Sequence, residues 1–234
     1  MNILVTGASR GIGAAAFALL KSTGHQVIGH STRGSDELIA ADLADPEAPR
    51  ALWNAALERL DGRIDVLVNN AGIYEAVADD AADSEWHASW ARTLTINLQA
   101  PADLSRLAIG HFRGRDGGGR IVNVASRAAY RGDSPQHWHY AASKSAMIGI
   151  TKTIARGYAA EQILAFAVCP GFTVSEMTEE YLKGRGGAQV IAEIPLGRVA
   201  TTDEVAEAIR WLSVDAPAAA TGTVIDVNGA SYVR

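Results

Sequence analysis

Seven short apolar runs alternate with longer amphipathic segments along the chain. The runs are Ile3–Thr6, Gln26–His30, Leu38–Ala41, Ile64–Val68, Arg120–Ala125, Ile163–Val168 and Val224–Val227. Most are continuous rather than alternating in polarity, which suits strands buried on both faces of a parallel sheet. The intervening segments read as helices. Ile12–Thr23 follows a glycine-rich turn, and Glu47–Leu60 begins after Asp45-Pro46, a cap with proline in the first turn. Ser84–His111 and Trp138–Tyr158 are long and alanine-rich, and Thr202–Ser213 opens on Thr-Asp-Glu, which suits a helix N-terminus. Such a β-α-β-α order predicts a doubly wound α/β sheet.

No internal repeat or linker-like shift divides the chain, so one domain over residues 1–234 is expected. Arg113–Gly119 reads as a helix-to-strand loop and the acids Asp79, Asp80 and Asp83 as part of a solvated loop. Phe172–Pro195 has no clear period and carries Lys183-Gly-Arg-Gly-Gly187. A polar segment of that length is functional or disordered; here it reads as a flexible substrate lid, with Lys183 and Arg185 as solvated charges.

Composition narrows the partners. With 48% hydrophobic residues and a net charge of -5, the chain can bury a core and does not attract polyanions. Nucleic acid and anionic membranes are therefore excluded as main partners, and no apolar stretch approaches a membrane span. The chain opens directly on a strand, leaving no room for a signal peptide, and Cys169 is its single cysteine. A cytoplasmic protein is expected. No His, Cys, Asp or Glu set has metal-ligand spacing.

Thr6-Gly7-Ala8-Ser9-Arg10-Gly11-Ile12-Gly13 lies between the first strand and the first helix. Glycines there permit a tight turn and close approach of a phosphate to the helix N-terminus. The spacing is Gly-x-x-x-Gly-x-Gly, not the commoner dinucleotide fingerprint. The second strand runs into His30-Ser31-Thr32-Arg33, with no carboxylate before Asp36 to hold a ribose 2′-hydroxyl. Arg33, helped by Arg10, suits a 2′-phosphate, so NADP(H) is expected over NAD(H); solvated loop arginines are the plainer alternative.

Tyr140 and Lys144 stand four apart at the start of a predicted helix, on one face. A phenol titrates near pH 10, and lowering that by about 3 units needs roughly 4 kcal/mol, which a nearby ammonium helps to supply. Ser126 ends a strand fourteen residues before Tyr140, where its hydroxyl can donate to a carbonyl oxygen gathering charge. Asn69-Asn-Ala-Gly72 ends another strand at the same edge, and Asn97 stands inside a predicted helix, which points to a task or to a kink.

These motifs in this order resemble the single-domain short-chain dehydrogenase/reductase family, particularly its 3-oxoacyl-carrier-protein-reductase-like members. They are Thr6–Gly13, Asp42-Leu43, Asn69–Gly72, Asn97, Ser126, Tyr140-x-x-x-Lys144, Pro170-Gly171 and Pro195-Leu-Gly-Arg198. The resemblance runs essentially end to end. It implies a three-layer Rossmann-type fold with a seven-stranded parallel sheet. It also implies Tyr140 as general acid and base, Lys144 as its modulator and ribose ligand, Ser126 as the oxygen-polarising group and Asn97 as holder of a relay water. Asp42 and Leu43 would flank adenine, and Asn69, Ala71 and Gly72 would line the cofactor. Gly7, Ser9, Arg10, Gly11, Ile12, Gly13, Thr32 and Arg33 would take its phosphates, and Pro170, Gly171, Thr173 and Ser175 its nicotinamide end. A small carbonyl or alcohol substrate and a homotetramer or dimer, paired through Ser84–His111 and Trp138–Tyr158, follow from the same resemblance.

The chain departs from the family pattern at four places. The segment before Asp42 is too short for the usual helix. The Ser126–Tyr140 gap is one residue longer than usual, Ser175 stands where threonine is frequent, and Val199–Asp203 replaces a Gly- and Pro-containing turn. His137, Trp138 and His139 either line the substrate pocket or form an interface cluster, and Tyr130 and Arg131 are further pocket candidates. The leading reading is an NADP(H)-dependent oxidoreductase; a catalytically silent redox sensor or structural subunit is the alternative.

Overall fold

The computed structural model describes residues 1–173 and 185–234. The elements are β1 (Asn2–Val5), α1 (Gly11–Ser22), β2 (Gln26–Ser31), β3 (Leu38–Ala40), α2 (Ala48–Arg59), β4 (Val66–Asn69), α3 (Asp83–Leu94), α4 (Ala100–Arg113), β5 (Gly119–Val124), α5 (Ala128–Arg131), α6 (Trp138–Tyr158), β6 (Ile163–Pro170), α7 (Arg185–Ala192), α8 (Thr202–Arg210) and β7 (Val224–Val227). All seven apolar runs form strands. They make one wholly parallel sheet in the order β3-β2-β1-β4-β5-β6-β7.

Alternate residues of each strand feed two cores. Ile3, Val5, Val66, Val68, Phe166 and Val168 face α1 and α8, where Phe17, Leu20, Val205 and Ile209 cover them. Leu4, Leu67, Ile121, Ile163 and Ala165 face the other way, onto Leu52 and Trp53 of α2, Leu104 and Phe112 of α4, and Ile154 of α6. This double burial explains why the strands read as continuous apolar runs. It is the doubly wound, Rossmann-type three-layer fold, with its switch point between β1 and β4.

The structure corrects the local reading in four places. The segment Ser84–His111 is not one helix: a five-residue π turn, Thr95–Gln99, separates α3 from α4 and contains Asn97. The helix after Asp45 starts at Ala48, with Pro49 rather than Pro46 in its first turn, and the Asp45 side chain instead accepts from the Glu47 amide at 3.0 Å. The last long helix closes at Arg210 in a second π turn, Trp211–Asp215, while Thr201 and Glu204 form a reciprocal capping box at its start. Finally, α7 occupies part of the segment without a sequence period. Between β2 and β3 there is a loop and no helix, as the short spacing before Asp42 predicts. No described helix is long and apolar enough to cross a membrane.

Candidate active site

A cavity of about 1140 Å³ lies along the carboxyl edge of the sheet, over the switch point. One end is walled by Gly7, Ser9–Gly13, Thr32, Asp42, Leu43, Ala71 and Gly72. The first turn of α1 faces it with no side-chain cap on its amides and no acidic residue. That combination of free N–H groups and positive dipole suits a pyrophosphate. Gly7 takes φ +66°, a region other residues avoid, and a Cβ there would stand 2.8 Å from the Ala71 Cα. At Gly13 a Cβ would stand 2.0 Å from the Gly7 carbonyl oxygen, so α1 approaches the turn as closely as backbone allows.

Hydrogen bonds lock this end across the switch point. The Thr6 hydroxyl accepts from the amides of Asn70 and Ala71, both at 3.0 Å. Asn70 Nδ2 donates back to the carbonyls of Thr6 (2.9 Å) and Gly7 (3.0 Å). Buried His30 joins the turn to the Asp42 loop: Nε2 donates to the Ala41 carbonyl at 2.9 Å, leaving Nδ1 to accept from the Gly7 amide at 3.2 Å. Burial lowers its pKa, the Ala41 hydrogen bond opposing, so the ring is neutral in this role. Neither Asn70 nor His30 was singled out from sequence. The signals were present: Asn70 ends a strand at the same edge, and His30 is a polar residue at the end of an apolar run.

The other end gathers the hydroxyl, phenol and ammonium groups. Ser126 follows β5, and Tyr140 and Lys144 sit one turn apart on α6, all three on the cavity wall. Ser126 Oγ accepts from the Ala128 amide at 3.1 Å, and its hydroxyl is hydrogen-bonded to the Tyr140 phenol. Lys144 is buried, donates to the Val124 carbonyl at 2.8 Å and lies 5.8 Å from the Tyr140 ring centre. Burial pushes the phenol up to about 12, against the Ser126 hydrogen bond, and pulls Lys144 down to about 8. Desolvation, not Lys144, thus sets the phenol in the protein by itself, and Tyr140 is a protonated donor at neutral pH.

The remaining sequence candidates divide clearly. Pro170, Gly171 and Thr173 line the cavity. Asn97, Asn69 and Arg33 are not among its walls. Asn97 is fully buried behind it, with Oδ1 accepting from the Ile73 amide at 2.8 Å and Nδ2 donating to the Ile73 carbonyl at 2.9 Å. Its place in a π turn explains the poor helix former. Asn69 is buried in a chain to Asn123 (2.9 Å) and Ser105 (3.1 Å), beneath the site. Arg33 is exposed beyond Thr32, and Ser175 lies outside the described residues.

Of the cluster before Tyr140, only His137 lines the cavity. Its ring stacks on Tyr74 at 3.9 Å, and Tyr74 meets Tyr140 edge-on at 4.8 Å. Trp138 is exposed beside Trp86, and His139 is buried with Nε2 3.0 Å from Ser89 Oγ. Arg131 lines the cavity and pairs with Glu193 at 3.2 Å, whereas Tyr130 stacks on Tyr232 outside it.

Comparison with known proteins agrees with this architecture. The family model described as enoyl-(acyl carrier protein) reductase matches residues 7–230. The chain is 35% identical to 3-oxoacyl-(acyl-carrier-protein) reductase FabG of Vibrio cholerae, covering 98% of this chain and 96% of that protein. It is 33% identical to acetoacetyl-CoA reductase of Rhizobium meliloti, over 98% and 97% of the two chains. The crystal structure of a short chain dehydrogenase from Burkholderia cenocepacia in complex with NADP superposes with a TM-score of 0.87 at 30% identity, covering 98% of this chain and 97% of that one. This chain belongs to the short-chain dehydrogenase/reductase family of oxidoreductases.

Proposed function

We propose that the protein is an NADP(H)-dependent carbonyl reductase, working as an alcohol dehydrogenase in reverse, with Tyr140 as the proton-transferring group. The observation that carries this reading is the convergence of Ser126, Tyr140 and Lys144 on the same cavity wall as the glycine turn. The turn Gly7–Gly13 and the uncapped first turn of α1 would hold the pyrophosphate, and Asp42 and Leu43 the adenine. Thr32, Arg33 and Arg10 would take a 2′-phosphate, Ala71, Gly72 and Lys144 the second ribose, and Pro170, Gly171 and Thr173 the nicotinamide. Asn69 would support this wall from beneath. The NADP in the Burkholderia structure supports the cofactor choice. The relatives that act on 3-oxoacyl and acetoacetyl thioesters support a small carbonyl substrate.

The cofactor supplies hydride to the carbonyl carbon, or accepts it in the reverse direction. The residues manage the oxygen. Ser126 donates a hydrogen bond to it, and the Tyr140 phenol, protonated at neutral pH, gives it a proton as negative charge develops. The Lys144 ammonium, on the same face of α6, favours the phenolate left behind. Asn97 keeps the Ile73 main chain in place behind this wall and would position a relay water towards Lys144. A homotetramer or dimer packed through α3, α4 and α6 accompanies this reading.

NADPH oxidation over a panel of ketones and 3-oxoacyl thioesters tests it. Tyr140→Phe should lower kcat by roughly 10³-fold with NADPH binding retained. Turnover that survives Tyr140→Phe, or a wild type that binds NADPH and reduces no carbonyl, refutes it.

A further inference from the structure

Arg127 is the residue at this site that the chemistry above leaves without a task. It follows Ser126 directly, its amide donates to the Pro170 carbonyl at 2.9 Å, and its side chain lines the same cavity as Tyr140. It is only 9% exposed. Its guanidinium lies 4.8 Å over the Phe172 ring, yet buried Nη1 has no hydrogen-bond partner. Among the described residues no carboxylate forms an ion pair with it. The other cations on the cavity wall away from the glycine turn are occupied: Arg131 by Glu193, Arg92 by Glu75 at 3.4 Å, and Lys144 by the Val124 carbonyl.

A guanidinium carries five donors and keeps its charge, so burying one without an anion is costly. The surroundings do not remove that cost. Burial is the largest influence disfavouring its charge and Arg131 the next, with Glu193 and Asp133 acting the other way. Stacking on Phe172 offsets part of it. What the position lacks is a bidentate anion, which a planar guanidinium fork accepts best as a carboxylate. The Arg127 side chain lines the cavity beside Ser126, so the missing anion belongs to whatever occupies the cavity together with a carbonyl oxygen at Ser126.

We propose that Arg127 binds a carboxylate of the substrate, so that the Tyr140 site acts on short oxo acids and their hydroxy-acid products. This deepens the reading of the site as a carbonyl reductase and rests on it. Ser126 and Arg127 line the same cavity, so a short oxo acid would present its carbonyl to the one and its carboxylate to the other. Tyr74 and His137, stacked on the Tyr140 side of the cavity, close it with ring surfaces against the carbon chain between them.

The test compares acetoacetate and 4-oxopentanoate with their methyl esters as substrates for NADPH-dependent reduction, in wild type and Arg127→Met. The wild type should prefer each acid over its ester at least tenfold in kcat/KM. Arg127→Met should abolish that preference through KM for the acid, with the ester rates within about twofold of wild type. Arg127→Lys, which keeps the charge without the fork, should fall between them and serves if the methionine variant does not fold. Equal rates for acids and esters in wild type, or equal losses for both in the variants, overturn the proposal and leave the reductase intact. Binding of 3-hydroxybutyrate to the NADP+-loaded protein, followed by tryptophan fluorescence, separates the two readings. Binding that Arg127→Met weakens tenfold, in a protein that reduces neither acid nor ester, refutes the reductase and supports the anion site. Binding unchanged by Arg127→Met refutes the anion site.

Discussion

At the glycine-turn end of the cleft the wall is main chain, whereas at the Tyr140 end it is side chains. The glycine-turn end is shaped by glycines at which an added Cβ would stand 2.0–2.8 Å from neighbouring backbone, and by Thr6, Asn70 and His30 bonding to amides and carbonyls. The Tyr140 end is shaped by half-buried Tyr140, by the buried cations Lys144 and Arg127, and by the rings of Tyr74, His137 and Phe172. The first arrangement tolerates almost no change of shape. The second tolerates changes of shape but depends on charge. A backbone cradle recognises a group common to many relatives; a side-chain wall is where one member's substrate choice can diverge.

The sharpest way to break the first half is Gly13→Ala. Its φ is ordinary for any residue, so the obstacle is contact alone: the new methyl meets the Gly7 carbonyl oxygen and Asn70 Nδ2, at 2.0 and 2.4 Å. Relief must come from moving α1 off the turn, at a cost of roughly 3 kcal/mol. Denaturant unfolding should show that loss, and NADPH titration a weakening of at least tenfold. A variant with wild-type stability and cofactor affinity would show that this end is less rigid than its contacts imply.

Lys144→Met is the corresponding probe of the second half, and here function and stability should move in opposite directions. Burial holds the Lys144 pKa at about 8, below its ordinary 10.5. The unfolded chain therefore binds the proton more tightly than the folded one. Folding carries a penalty of roughly 3 kcal/mol below pH 8, which is relieved as pH rises from 8 to 10.5. Methionine removes that penalty but strands the Val124 carbonyl, for a net gain on the order of 1 kcal/mol at pH 7. Reductase activity should fall roughly 10²-fold. In wild type, activity should decline as pH rises through about 8 while stability increases. A variant that is less stable at pH 7 would mean that the ammonium is a structural group.

The same division decides what was legible in the sequence. The strands were readable because burial on both faces leaves continuous apolar runs, and the glycine turn because only glycine satisfies its φ and contacts. Tyr140 and Lys144 were readable because a helix brings residues four apart together. At Asn97 a task or a kink was readable but not the form of the π turn Thr95–Gln99, since its backbone is set by what Asn97 must reach on Ile73, a contact remote in sequence. α7 was hidden by Gly186 and Gly187 in its first turn. Asn69 and Asn70 are chemically identical neighbours, yet strand alternation buries one beneath the sheet edge and turns the other to the cavity. Arg127 reads as an ordinary loop arginine; its isolation becomes visible only when Phe172 and the paired Arg131 are brought beside it.

His30 is the one place where the backbone-built end depends on a titrating side chain, and it gives the smallest effect. As a neutral ring it accepts from the Gly7 amide and donates to the Ala41 carbonyl. Protonation would place an N–H against the Gly7 N–H and remove that acceptor. Its folded pKa is lowered below 6.5 by burial, so its contribution to stability is complete above 6.5 and is lost as pH falls through the lowered value. NADPH affinity should weaken a few-fold over the same interval, because the glycine turn loses a tether. In His30→Gln, which keeps a neutral acceptor, the protein's share of that pH dependence should vanish, while protonation of the cofactor's own phosphate affects both proteins alike. Identical pH profiles for wild type and His30→Gln would mean that the glycines and Asn70 hold the turn without His30, making this end of the cleft a pure backbone cradle.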